Sequence, residues 1–241
     1  NLAASLSAMM RKVLIIDMDP QGNATTGMGI DKNEQEYSLS EALLNQVSID
    51  QVIKTVPDTD IDMLPGGADM TVAEITLMHE DDREYRLRAV LENIKGNYDY
   101  IVIDCPPSLN MLTVNALVAA DGIMIPMQCE YYALEGLSAL MGSVETIRES
   151  SNPDLEITGL LRTMYDPRNN LARDVSSQLS EYFGDKLYNT SIPRNVRLAE
   201  APSHGLPVLS YDKHSRGALA YLAMAAEMIR KDTSRVAELS N

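Results

Sequence analysis

The sequence is short of several things, and each shortage excludes something. Only two cysteines occur in 241 residues, Cys105 and Cys129, both in apolar surroundings. They suit reduced core thiols of a cytoplasmic protein better than a disulfide framework. The three histidines, His79, His204 and His214, are scattered, so no Cys/His set has metal-ligand spacing. No apolar run is long enough to span a membrane, and the opening "NLAASLSAMM" has neither the basic start nor the cleavage site of a signal peptide. Basic charge is scarce as well: the net charge is −15. The shortage is uneven, because residues 1–185 carry a net −18 and residues 186–241 a net +3. An anion-binding surface therefore belongs in the C-terminal quarter, the alternative being an ordinary solvated face of an acidic protein.

What is present is alternation. Apolar runs of four to six residues, "KVLIID", "IDML", "YIVID", "GIMIPM", "LEITGLL" and "KLYNTSIP", are separated by stretches of helical period. The helical stretches include residues 69–95, 130–149, 168–183 and 214–231, and Ser38 and Glu41 have capping-box spacing. This pattern predicts a doubly wound α/β domain, a mostly parallel sheet with helices on both faces, over residues 1–231. The polar tail 232–241 is expected to fray.

Two of the strands end in acids. "VLIID" closes on Asp17 with Asp19 two residues on, and "YIVID" closes on Asp104 before two prolines. Ligands of open parallel sheets bind beyond the strands' carboxyl ends. Four apolar residues ending in Asp is the Walker B pattern, whose carboxylate holds Mg²⁺ beside nucleotide phosphates. Helix capping or loop bonding is the alternative use of one such acid.

The stretches "VLIIDMDPQGNATTGMG", "YDYIVIDCPPSLNMLTVNAL" and "IPRNVRLAEAPSHGLPV" together resemble the ParA/Soj family of partition ATPases, of the deviant Walker A P-loop group. The resemblance runs in order from residue 1 to about residue 231. It implies ATP and Mg²⁺ as ligands. It implies that Asp19 orients or activates the attacking water, that Asp17 holds the switch loop and the Mg²⁺ shell, and that Asp104 binds Mg²⁺ through water. Loop capping is the alternative for Asp17. Gly22 and Gly27 would let the loop move with nucleotide state. Met164 and Pro193 become candidates for the adenine pocket. Arg162 and Asn110 depart from the family pattern, Arg162 in a way that bears on that pocket.

The resemblance further implies an ATP-bound homodimer that binds DNA without sequence preference, a nucleoid-associated cytoplasmic location, and release by a ParB-type centromere-binding protein. Arg194, Arg197, Lys213, Arg216, Arg230 and Lys231 are the DNA candidates; ion pairing of Arg194 and Arg197 with Glu200 is the alternative. A division-site ATPase of the same group would need a membrane-binding C-terminal helix, and the acidic tail after "ALAYLAMAAEMIRKD" speaks against it.

One family element has no counterpart. No G-x-x-x-x-G-K-[ST] occurs, although in the family the loop "KGGVGKTT" directly precedes "NLAASL". The expectation is an N-terminally truncated sequence that lacks the first strand and the phosphate loop. As written, it should bind ATP poorly, and it should fold poorly because the neighbours of the missing strand expose unpaired edges. The other reading is a non-catalytic regulatory protein of the same fold.

Overall fold

The computed structural model describes residues 1–239, with side chains to Arg235. The first half runs α1 (Leu2–Ala8), β1 (Val13–Asp17), α2 (Asn23–Gly27), α3 (Leu39–Leu43), α4 (Ile49–Val52), β2 (Lys54–Thr55), β3 (Ile61–Leu64), α5 (Met70–Leu77), α6 (Arg86–Leu91) and β4 (Tyr100–Asp104). The second half runs α7 (Met111–Ala119), β5 (Gly122–Gln128), α8 (Ala133–Ser150), β6 (Glu156–Tyr165), α9 (Asn170–Phe183), β7 (Leu187–Pro193), α10 (Val196–Glu200), α11 (Val208–Tyr211) and α12 (Arg216–Leu239). The predicted α/β class holds. The strands form two sheets, ordered β2-β3-β1-β4 and β5-β6-β7, parallel except for the short β2 edge.

β1 is buried along its whole length because both of its edges are paired, to β3 and to β4. Alternate side chains serve opposite faces. Val13 and Ile15 join α1, α12 and residues of the second sheet in one core, including Leu161, Tyr188 and Met224. Leu14 and Ile16 join Leu39, Leu43, Leu87, Leu91 and Leu112 in the other. The first of these cores carries packing from one sheet to the other.

β4 and β5 differ from their sequence reading. "YIVID" and "GIMIPMQ" are as apolar as β1, yet most of their residues are only half-buried. Each closes its sheet, so one edge of each has no strand partner among the described residues. The periodic stretch 69–95 also breaks, into α5 and α6, at a turn where Asp82 takes a left-handed φ of 52°. At the C-terminal end, α12 continues through Asp232 to Leu239, into the polar tail. Asp232 accepts a hydrogen bond from Tyr100 and Arg235 pairs with Glu156, and these contacts hold the polar turns against the sheets.

Glu227 on α12 is the main polar anchor of β7. Its buried carboxylate accepts the backbone N–H groups of Asn189 (2.7 Å) and Thr190 (2.8 Å). Burial alone would raise its pKa, but these donors and nearby Lys231 hold it below the ordinary value. Glu227→Ala takes the charged acceptor from two part-buried N–H groups and is expected to cost about 1–3 kcal/mol by chemical denaturation. The carboxylate's contribution should be fully present above its unfolded pKa near 4.5. It should fade as pH falls through the lower folded value, so the wild-type advantage over the variant should shrink in acid.

Candidate functional site

The parallel register of β1 and β4 sets Asp17 opposite Asp104 at the carboxyl ends of the two strands. The loop after β1 carries Asp19 beside them. The three acids picked from sequence therefore lie together, but in different states. Asp17 is fully buried and its oxygens are engaged. One accepts Thr25 N–H (2.8 Å) and the Thr25 hydroxyl (2.7 Å); the other accepts Asp19 N–H (3.2 Å). Burial raises its pKa against the pull of these donors, and the charge of Asp19 adds to the rise. Asp104 is exposed at the end of β4, though its carboxyl is partly covered. With Asp17 and Asp19 beside it, its pKa is pushed up to about 6. Burial, with the charges of Asp104 and Asp19, pushes the neighbouring Cys105 thiol up to about 12, and both cysteines are free thiols.

Asp19 sits at the head of a β-turn over Asp19-Pro20-Gln21-Gly22. The turn is closed by Gly22 N–H on the Asp19 carbonyl (2.9 Å), and Gln21 N–H donates to the Asp19 carboxylate (2.9 Å). Asp first, Pro second and Gly last is the composition such a turn favours. Gly22 has φ +61°, and a Cβ there would meet Lys32 Cδ at 2.9 Å and the Gly66 carbonyl at 3.0 Å. Gly66 in turn leaves no room for a Cβ against the Asp17 carbonyl, and its N–H donates to the Thr25 hydroxyl (3.0 Å). The Pro65–Gly67 loop therefore backs the acid loop. Nothing local in the sequence marks this loop as a neighbour of the acids.

A metal fits here in one manner only. Among the described residues no three His, Cys, Asp or Glu side chains converge as direct ligands. Asp104 is instead an acid with its carboxylate unspent in a negative field, the chemistry that suits a hydrated cation.

Met164 and Pro193 come together on adjacent strands, since Tyr165 pairs with Pro193 in register. Met164 is 48% exposed with a left-handed φ of 52°, an uncommon state for a side chain with a Cβ. Arg162 does not join them. It donates to the Ser176 hydroxyl and to the Tyr188 and Asn189 carbonyls and lies over the Tyr165 ring, bracing β6 to α9 and β7. Asn110 accepts Thr113 N–H and caps α7.

The six basic candidates divide. Leu198 of α10 packs on Gly217, where a Cβ would approach it to 2.6 Å. This contact gathers Arg194, Arg197, Lys213 and Arg216, all exposed, at the start of α12. Arg197 is paired to Glu200 (2.8 Å) and Asp212 (3.4 Å), whereas Arg194 has no ion pair among the described residues. Arg230 and Lys231 lie about 20 Å further along α12 at 1.5 Å per residue. Lys231 is spent on the Asp185 carbonyl (2.6 Å) and the Tyr188 ring.

A protein-family model described as an AAA domain matches residues 1–157. An uncharacterized protein of Pseudomonas putida is 58% identical over 96% of this chain and 88% of its own length. The sporulation initiation inhibitor protein Soj of Bacillus subtilis is 49% identical, over 95% of this chain and 90% of its own. The chromosome partitioning protein ParA of Caulobacter vibrioides is 48% identical, over 99% and 90%. Among solved structures, cobyrinic acid a,c-diamide synthase of Mycobacterium smegmatis with bound ADP and magnesium superposes with a TM-score of 0.83. It is 32% identical, over 97% of this chain and 87% of that one. With Soj and ParA matched along nearly their whole length, the chain belongs to the ParA/Soj family of chromosome-partitioning ATPases.

Proposed function

We propose that this protein works as the ATP-driven switch of a DNA partition system, with the acid cluster at the ends of β1 and β4 as its hydrolytic centre. The observation that carries the reading is the β1–β4 register, which sets Asp17 against Asp104 with Asp19 alongside. Asp104, the acid with an unspent carboxylate, would hold a hydrated Mg²⁺, and Asp17 would hold the loop rather than the ion. The metal would supply charge neutralisation of the triphosphate. Asp19 would orient and deprotonate the attacking water. Met164 and Pro193 form the rim offered to the base.

The phosphates need a cradle of backbone N–H groups and a lysine, and no Gly-x-x-x-x-Gly-Lys-Ser/Thr lies within these 241 residues. These 241 residues should therefore show no measurable heat with Mg·ATP in isothermal titration. Micromolar binding would reject the dependence on that loop. With the family's phosphate loop placed ahead of Asn1, Asp19→Ala should keep nucleotide binding and slow hydrolysis roughly a hundredfold, the scale for a group that activates a nucleophile. Turnover near wild type would reduce Asp19 to a loop-capping residue.

The DNA reading rests on the basic end of the molecule in an otherwise acidic chain. ATP-dependent dimerisation would bring two such patches together and raise their effective concentration on one duplex. A ParB-type partner would then trigger hydrolysis and release. Arg194 is free to meet a phosphate, while Arg197 must first leave Glu200 and Asp212. Replacing both with alanine should flatten the log–log salt dependence of duplex binding by up to about 3–4 units per dimer. Affinity should fall alike on unrelated sequences, measured by fluorescence anisotropy. An unchanged slope moves the surface to Lys213, Arg216 and Arg230.

A further inference from the structure

We propose that Lys32 is a positioning residue for Asp19, a latch on the turn that carries the acid; the proposal rests on the catalytic reading of Asp19 above. Lys32 is the only lysine or arginine between residues 13 and 53, a stretch rich in acids. Its ammonium donates to the Gln21 carbonyl at 2.6 Å. That carbonyl belongs to the peptide unit whose N–H, on Gly22, closes the turn on the Asp19 carbonyl. Both polar ends of the Gln21–Gly22 peptide are therefore held, one by Asp19 and one by Lys32.

The preceding N–H, on Gln21, is the donor that orients the Asp19 carboxylate. Freeing the Gln21 carbonyl lets this peptide rotate, and the Asp19 side chain loses its fixed donor. The stem of Lys32 adds a steric part. It runs over Gly22 and reaches Gly67, so the turn is wedged between the lysine and the Pro65–Gly67 loop. A hydrogen bond from a charged donor is stronger than a neutral one, which gives a single exposed lysine enough grip to matter.

The test uses the ATP-hydrolysing protein with its phosphate loop, and the variants Lys32→Met, Lys32→Arg and Asp19→Ala. Lys32→Met should lower kcat about tenfold while KM for ATP stays within about twofold, because the acid is loosened and no nucleotide contact is removed. Lys32→Arg keeps a charged donor on a long stem and should restore most of the rate. An unchanged kcat in Lys32→Met, beside a depressed Asp19→Ala, overturns the latch. Unchanged turnover in Asp19→Ala instead overturns the catalytic reading of Asp19 and leaves the latch to a second measurement. That measurement is hydrogen exchange on the same protein with its phosphate loop, free of nucleotide. Lys32→Met should quicken exchange at the Gln21 and Gly22 amides about tenfold while the β1 amides stay protected. Unchanged exchange at Gln21 and Gly22 overturns the latch whatever the turnover.

Discussion

The buried Asp17 carboxylate is the interaction on which the rim of this molecule depends. A charge in a fully buried position is costly unless donors surround it, and here three donors do. Two come from Thr25, so the carboxylate ties the start of α2 to the end of β1. The Thr25 hydroxyl then accepts Gly66 N–H, which draws in the loop after β3. The third donor is Asp19 N–H, which fixes where the neighbouring acid begins. One side chain thus joins three chain segments, and Asp104 across the β1–β4 register feels it as a negative neighbour.

The acid loop also has a mechanical neighbour on its far side. Gly29 and Gly205 both have positive φ, and their backbones touch so closely that a Cβ on Gly29 would lie 2.8 Å from the Gly205 carbonyl. Gly205 ends the 3-10 turn that continues from α10, the helix carrying Arg197. The acid cluster and the basic end of the fold are therefore joined by packing as well as by the chain.

Among the described residues the two sheets end in four edge strands, β2 and β4 in one and β5 and β7 in the other. β4 and β5 present apolar, half-exposed strands with one unpaired edge each. Such edges are templates for further strand pairing, whether by a strand of the same protein or by another chain. The core that includes α1 and α12 takes residues from both sheets, which is what holds the two sheets in one body.

Much of this was legible in the residues themselves. Four apolar residues before an acid marked β1 and β4, and the Ser38–Glu41 spacing marked the start of α3. These are local relations, decided within a few residues by side-chain period and capping chemistry. Other properties arise only between segments distant in the chain. Register decided that Asp17 opposes Asp104, and strand order decided that β4 and β5 are edges while the equally apolar β1 is interior. Packing turned Arg162, which in sequence bore on the adenine pocket, to carbonyls of β7, and it spent Lys231, a DNA candidate in sequence, on Asp185. Sequence by itself determined which elements form and which acids stand at their ends. Only the tertiary structure decided which charges remain free, because a charge is free or spent according to neighbours that the chain brings from far away.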